Sequence, residues 1–510
     1  MRATSVSNAN GNGNDINAVF EEWPWIAIQK ASMEGEWGHY APASQMDQYT
    51  LEVIVNTIFT HPDSCLRTYD PESAKLFHVP FYNSIHFHNG KTFAQDYSTT
   101  NYAQALMDIM ERENYDSWQK VWGITDKYWK RRGGADHVSV MTEPLHGFWH
   151  PRNKRGSFHF IHSQYQLRPH IVISVELSTS FVETYPKCAA KNIIVPYPNP
   201  DGRHYNGQYD ADTSKYLLDE LQIDLEKDTL ENFAARATPI VTDFQLGLFN
   251  TNTNTNTNTK TNAKTNTSKS NDIFHRQYGT RPIGVFYSGG LHGTCRTLRK
   301  SLMEDYICSP SGNLFHNKLK KGKHITSFQN GMRMSTFCPC PGGDSPSAKR
   351  MYDATIAGCI PIILSKDFVW ALSIESDPES SNTMIDPTTF SIRLDSSPFV
   401  DARLDKDTCD TFNQDKPPLT TYLETHISPE EIQRLRQGLE HAKTHYSFYS
   451  HEDKDIPTNA LKHNILPTGG AAFALIAALE DRAEGKRWPA CEAELKTIPK
   501  GTREPNHFLC

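Results

Sequence analysis

Between Ser335 and Leu364 the pattern of apolar and polar positions changes three times. An apolar run, Ser335 to Cys340, stops at Pro341-Gly342-Gly343-Asp344. Apolar residues then recur at helical spacing from about Ser347, and a second apolar run, Cys359 to Leu364, begins after Gly358. Short apolar runs bounded by glycine turns predict buried strands, and the periodic stretch between them predicts a helix, so the segment reads as one βαβ unit. Asp344, Ser345 and Ser347 are candidate N-caps, and Gly358 stands where a left-handed glycine ends a helix. Arg350 and Asp353, three apart, share one face of that helix.

The stretch Arg281 to Tyr287 predicts another strand, turned at Ser288-Gly289-Gly290, with a helix from His292 to Glu304 behind it. Two such glycine-turned βα units would present helix N-termini, with unpaired N–H donors and partial positive charge, to one site. Upstream, Leu51, Ile54, Val55 and Ile58 keep helical spacing, Asp70-Pro71-Glu72 predicts a turn, and Leu76 to Pro80 and Ile171 to Glu176 predict strands. Downstream, Ser428 to Tyr449 reads as an amphipathic helix with Pro429 at its first position, and Ala471 to Leu479 opens a final buried helix. The Asn/Gly/Ser-rich residues 1 to about 20 and the Thr-Asn run from Asn250 to Asn271 carry no apolar periodicity; they predict a disordered tail and a surface loop or linker.

At 510 residues the chain has room for two domains of ~100–200 residues each. Hydrophobic residues are 37% and aromatics 11%, enough for a core despite a mean hydropathy of −0.59. A net charge of −7 without a basic block predicts no nucleic-acid partner. No apolar run approaches the ~18 residues of a membrane helix, so no membrane anchor is visible, and MRATSVSNANGNGNDINAVF lacks the apolar core of a signal peptide. Ten cysteines without a CxxC pair or zinc spacing leave two readings, buried thiols or disulfides of an oxidising compartment. Asp210-Ala211-Asp212 has the form of a carboxylate metal motif, but no apolar strand precedes it. His78 and His86 read as packing or surface histidines.

The stretch FCPCPGGDSPSAKRMYDATIAGCIPIIL, Phe337 to Leu364, resembles the exostosin-type glycosyltransferase signature. There an FC-x-CP-x-GD run leads through S/T-P-S into an R-x-x-D-A helix and a GCIPVI strand. Arg67, Thr68, Asp70, Pro71, Glu72, Ala74, Phe77 and Val79 to Tyr82 are similar to a second family pattern. Trp129, Arg131, Gly134, Asp136, His137 and Val140 resemble a third, and Lys191 to Pro198 a fourth, a strand and turn. The family's following His-Asp-Trp-Gly is replaced here by Thr142-Glu143-Pro144-Leu145-His146-Gly147.

The resemblance implies an α/β fold of the GT-B type, two Rossmann-like domains facing a cleft. Residues 1–22 would be a disordered tail, 23–245 the acceptor-side domain, 246–275 the low-complexity linker, 276–465 the nucleotide-sugar domain, 466–487 a C-terminal helix and 488–510 a tail. It also implies transfer of a sugar from a nucleotide-diphosphate sugar, a UDP-sugar, to a hydroxyl of a glycan or glycoprotein acceptor, with inversion. No cofactor and no metal would be required. Golgi localisation and assembly with related transferases are further expectations of the resemblance.

On the donor side the resemblance selects Arg299, with Arg296 a turn earlier, and Gly343, Ser345, Ser347 and Arg350 for the diphosphate, and Asp353 for the ribose. Arg296 and Arg299 read alternatively as a solvated helix face. The base is one of Asp136, His137 and Glu143, yet an Asp-His pair at a strand end can be purely structural, bonded to a turn and a carbonyl. The altered stretch at 142–147 keeps open a non-catalytic glycan-binding or chaperone-like member of the same fold. A mucin-like stalk protein is excluded by the globular composition outside 250–271.

Overall fold

The computed structural model describes residues 50–79, 126–142, 169–177, 179–198, 283–287, 289–290, 295–307, 332, 335–343, 345–379, 384–400, 419–449, 466–485 and 487–497. His86, Glu143, Asp210 to Asp212, the Thr-Asn run and Asp344 lie outside them. Two compact units emerge. One gathers Met1–Arg203, Val369–Ile385 and Ser447–His507; the other takes His204–Phe368 and Asp386–Tyr446. Each holds, among the described residues, a four-stranded sheet in sequential order with every pairing parallel. The fold is α/β, as the alternation of apolar runs and helical periods predicts.

In the first unit the strands are β1 (Phe77–His78), β2 (His137–Met141), β3 (Ile171–Ser174) and β4 (Ile193–Ile194). β2 and β3 are buried at every position, the signature of a parallel sheet without a solvent face. Helix Leu51–Thr60 packs on β2 and buries Leu51, Ile54, Val55 and Ile58, the four positions whose spacing predicts it. One expectation is corrected. The pair Asp136-His137, expected at the end of a strand, stands at its beginning, because β2 runs from His137 to Met141. The histidine reading survives for His78, whose ring stacks on Phe59 at 4.5 Å.

Two carboxy-terminal helices, Gly470–Ala483 and Arg487–Thr497, also belong to this unit. The Cys188–Cys491 disulfide ties the second of them to the short helix Pro186–Ala190, across 303 residues of sequence. Glu494 accepts hydrogen bonds from the Lys187 and Cys188 N–H groups at 3.1 and 2.9 Å. Arg487 donates to the Ala190 carbonyl at 3.0 Å. Both ends of the short helix, where backbone groups lack intrahelical partners, are thereby satisfied by one neighbour. Arg482, almost fully buried, donates to Asp377 at 2.6 Å, and Arg487 meets the same carboxylate at 3.1 Å.

The second unit holds β5 (Ile283–Val285), β6 (Ser335–Cys340), β7 (Ile360–Ile363) and β8 (Ile392–Arg393). β6, helix Lys349–Ile356 and β7 form the expected βαβ unit. Gly358 has φ 67°, so the left-handed helix stop is confirmed. The expected caps are not. The N-cap is Ala348, whose methyl side chain cannot accept a hydrogen bond, and the Ser345 hydroxyl turns to Ser347 within the preceding loop. Of the two cysteine readings the disulfide holds for Cys338, bonded to Cys359, while Cys340 keeps a buried thiol. Cys295 is also disulfide-bonded.

Helix Pro429–Tyr446 packs on helix Lys349–Ile356. Tyr446 meets Tyr352 edge-to-face at 5.3 Å and Phe390 at 5.9 Å. A Cβ on Gly438 would fall 2.0 Å from the Thr389 carbonyl oxygen. Alanine in a helix interior ordinarily gains up to ~1 kcal/mol over glycine, but here the close backbone approach reverses the sign. Gly438→Ala is expected to cost about 1–3 kcal/mol and lower the melting temperature by several degrees, whereas the exposed Gln437→Ala is neutral or slightly stabilising, as thermal unfolding of the two variants will show.

Candidate functional site

In parallel α/β sheets ligands gather at the carboxyl ends of the strands, where the loops into the next helices lie. In the second unit the loops leaving β5 and β6 meet there. Arg299, on helix Arg296–Ile307 and 5% exposed, donates from Nε and Nη2 to the Gly342 carbonyl at 3.1 and 2.7 Å. From Nη1 it donates to the Gly290 carbonyl at 3.0 Å. One guanidinium thus fastens the turn after β5 to the turn after β6. Arg296, on the same helix, is exposed, so the solvated-face reading fits Arg296 and fails for Arg299.

The glycine loop itself is closed on its own backbone. The Gly343 N–H donates to the Ser345 carbonyl at 2.8 Å and to that of Ser347 at 3.3 Å. Ser345, also buried, donates to the Ser347 carbonyl at 3.3 Å. A Cβ on Gly342 would meet Cys295 Sγ, the Ser345 carbonyl and Ser365 Oγ at 3.0–3.1 Å, so a side chain there would press its neighbours outward by a few tenths of an ångström. These residues shape the loop that delivers the chain to the helix start at Lys349. Ala348, the N-cap, has no side-chain acceptor to offer the first-turn N–H groups, and the helix start carries the partial positive charge of its dipole.

From the first turn of that helix Arg350 lays its guanidinium over the Tyr287 ring, 4.7 Å from the centroid. This brings a cation from the second loop onto the first, at the carboxyl ends of adjacent strands β5 and β6. Asp353 accepts from Lys349 at 2.6 Å, an i,i+4 pair with both side chains about four-fifths buried. Sequence reasoning paired Asp353 with Arg350 by spacing and missed both Lys349 and Tyr287. An aromatic residue ending a strand before a glycine turn was the available signal for Tyr287, but only tertiary contact tells it from core. Arg299, Gly343, Ser345, Ser347, Arg350 and Asp353 all belong to the β5–β6 edge.

Asp136 and His137 sit elsewhere in kind as well as in place. The Asp136 carboxylate is fully buried and bonded on both oxygens, to Arg131 at 2.8 Å and to His137 Nδ1 at 2.9 Å. Arg131 also donates to the Ala74 carbonyl at 3.0 Å and covers the Phe77 ring at 5.0 Å. The turn between Arg131 and the strand is made by Gly133 and Gly134 at φ 57° and 86°, a region costly for other residues. This cluster occupies the amino-terminal edge of β2, away from the loops at the strand's carboxyl end. Its geometry fits the structural alternative, a staple between helix, turn and strand.

At the carboxyl end of β2 the Thr142 N–H donates to the buried Glu52 carboxylate at 3.3 Å, and Glu143 follows it in sequence. Buried Glu176 lies two residues beyond the carboxyl end of β3. Neither Glu52 nor Glu176 was selected from sequence, since a lone glutamate at a helix start or after a strand carries no pattern. Among the described residues no group of three or more His, Cys, Asp or Glu side chains is placed to hold a metal ion. No described helix is long and apolar enough to cross a membrane.

The Exostosin GT47 domain family matches residues 28–218 and 251–401. A probable glycosyltransferase of Arabidopsis thaliana is 32% identical over 90 residues, 18% of this chain and 16% of that protein. A probable β-1,4-xylosyltransferase of Arabidopsis thaliana is 30% identical over 91 residues, 18% and 19% of the two chains. A probable xyloglucan galactosyltransferase of the same plant is 23% identical over 318 residues, 62% of this chain and 42% of that one. The matched stretches therefore span less than half of these relatives.

Burial raises the Asp136 pKa, but hydrogen bonds from His137 and Arg131 outweigh it and hold the carboxyl below its usual 3.8. A depressed carboxylate stabilises the fold above its unfolded pKa, and that stability is lost as pH falls through the folded value. Asp136→Asn is expected to cost about 1.5–3 kcal/mol at neutral pH. The gap from wild type should close as pH drops below about 4, measured by melting curves across pH.

Proposed function

Because this chain belongs to the Exostosin GT47 family, whose fold is of the GT-B type, we propose that it is a glycosyltransferase using a nucleotide-diphosphate sugar, a UDP-sugar, as donor and a glycan or glycoprotein hydroxyl as acceptor. The single observation that carries the donor side is Arg350. It brings a guanidinium from the start of a helix with alanine as N-cap to the turn after β5. As the glycosidic bond to the donor breaks, negative charge develops on the departing diphosphate. A fixed cation beside a helix N-terminus stabilises that charge more than it stabilises the bound donor. Asp353, positioned by Lys349, offers the ribose hydroxyls an acceptor-only carboxylate. Arg299 serves by holding the two loops in register.

The acceptor hydroxyl must lose a proton as it attacks the anomeric carbon. Of the three candidate bases, Asp136 and His137 are bonded to each other at the amino-terminal edge of β2. We therefore assign the base to Glu143, which follows that strand's carboxyl end in sequence. Attack opposite the leaving diphosphate gives inversion. The names of the relatives, a xylosyl- and a galactosyltransferase, support a pentosyl or hexosyl transfer in polysaccharide synthesis. The buried disulfides belong to an oxidising compartment; together with the family this supports a secretory-pathway enzyme, and we assign it to the Golgi lumen. Assembly with related transferases is part of the same proposal.

Calorimetric titration with UDP tests the donor site. Arg350→Ala is expected to weaken UDP at least ~10-fold by removing a charge-assisted contact. Asp353→Asn should weaken uridine and UDP alike, with little change in melting, since an i,i+4 pair contributes only ~0.3–0.5 kcal/mol. Equal affinity in wild type and both variants would move the donor site away from this helix. Transfer is also expected to persist in EDTA; its abolition by chelator, with rescue by manganese, would overturn metal independence.

A further inference from the structure

Tyr287 ends the run of the chain leaving β5 and is 2% exposed. Its hydroxyl is buried and has no hydrogen-bond partner among the described residues. Native proteins seldom leave a buried hydroxyl in that state, because it has given up water and received nothing in exchange. The ring has an evident use, as the platform for the Arg350 guanidinium at 4.7 Å, and phenylalanine would supply it equally well. The hydroxyl is what needs an explanation.

Its surroundings point to an anion. A Cβ built on Gly289 would lie 2.7 Å from the Tyr287 hydroxyl and 3.0 Å from Arg350 Nη2. Both groups therefore close on the same glycine, whose missing side chain permits the approach, and they are close enough to each other for oxygens of one phosphate to meet both. The turn carrying Gly289 cannot drift, since Arg299 holds the next carbonyl, Gly290, at 3.0 Å. Burial pushes the phenol above its ordinary pKa of 10, so at neutral pH the group is a donor.

We propose that Tyr287 is a phosphate-binding residue, its hydroxyl donating to an oxygen of the donor's diphosphate beside the Arg350 guanidinium, where both groups close on Gly289. The assignment rests on the donor site proposed above and adds to it a neutral donor. It also explains why the arginine is held on a tyrosine. A hydroxyl that is unpaired until ligand arrives gives its energy to the bound state rather than to the fold.

That separation makes the test sharp. UDP, UMP, uridine and inorganic pyrophosphate are titrated into wild type, Tyr287→Phe and Arg350→Ala, and the melting temperature of each is read with and without UDP. Tyr287→Phe is expected to melt at or above the wild-type temperature without ligand, to bind UDP about 10-fold more weakly, and to bind uridine unchanged. Its ligand-induced rise in melting temperature should shrink accordingly. If Arg350→Ala loses UDP affinity while Tyr287→Phe binds as wild type, the hydroxyl has no part in phosphate binding and this assignment falls alone. If both variants bind UDP as wild type, the donor site itself is misplaced. A ligand-free melting temperature well below wild type for Tyr287→Phe would show the hydroxyl to be structural and overturn the proposal.

Discussion

The second unit depends on one buried arginine. Arg299 reaches from its helix to two backbone carbonyls, Gly342 and Gly290, that belong to different loops. Loops between strand and helix are the parts of an α/β sheet with no ladder to fix them, and their carbonyls need partners once buried. A guanidinium answers both needs, because its fork of donors spans two acceptors and keeps its charge at any physiological pH. With that contact in place, the Gly289 turn and the Gly342 loop have a fixed separation. Arg350 can then lie across Tyr287 rather than in solvent.

The amino-terminal unit repeats the device with other residues. Arg131 joins the Ala74 carbonyl, the Phe77 ring and Asp136, and Asp136 in turn holds His137. Here too a motif with the look of chemistry, Asp next to His, consists of groups already committed to one another at the sheet's amino-terminal edge. Family signatures in this chain thus mix two kinds of residue. Arg131 and Arg299 bond backbone carbonyls and join loops, whereas Arg350 lies over the ring of Tyr287. The carboxy-terminal helices follow the same economy: Glu494, Arg487 and the Cys188–Cys491 bond fasten them to a helix too short to stand alone.

Much of the fold was legible because it is local. The β6 run Ser335–Cys340 has the observed bounds, Gly358 ends the helix with positive φ, and Leu51, Ile54, Val55 and Ile58 form one buried face. Each follows from steric limits or periodicity within a few residues. The N-cap failed for the opposite reason: which of three polar residues caps a helix depends on where the loop's backbone bonds close, and Gly343 closed them onto Ser345 and Ser347. The strand expected to end at Asp136-His137 instead begins at His137, since His137 and Ser139 break the apolar pattern that would have placed its bounds.

For the site, the sequence by itself determined the membership of the loop and helix, from Gly343 to Asp353, because strand, glycine turn and helix follow one another along the chain. It also determined the charge types offered there. Tertiary structure alone decided their partners. Arg350 met Tyr287, from the loop after a different strand, and Asp353 met Lys349, while Arg299 turned inward to carbonyls. Side chains choose partners by distance and by what must be buried together, and parallel pairing of β5 with β6 brings into contact residues whose separation along the chain carries no trace of it.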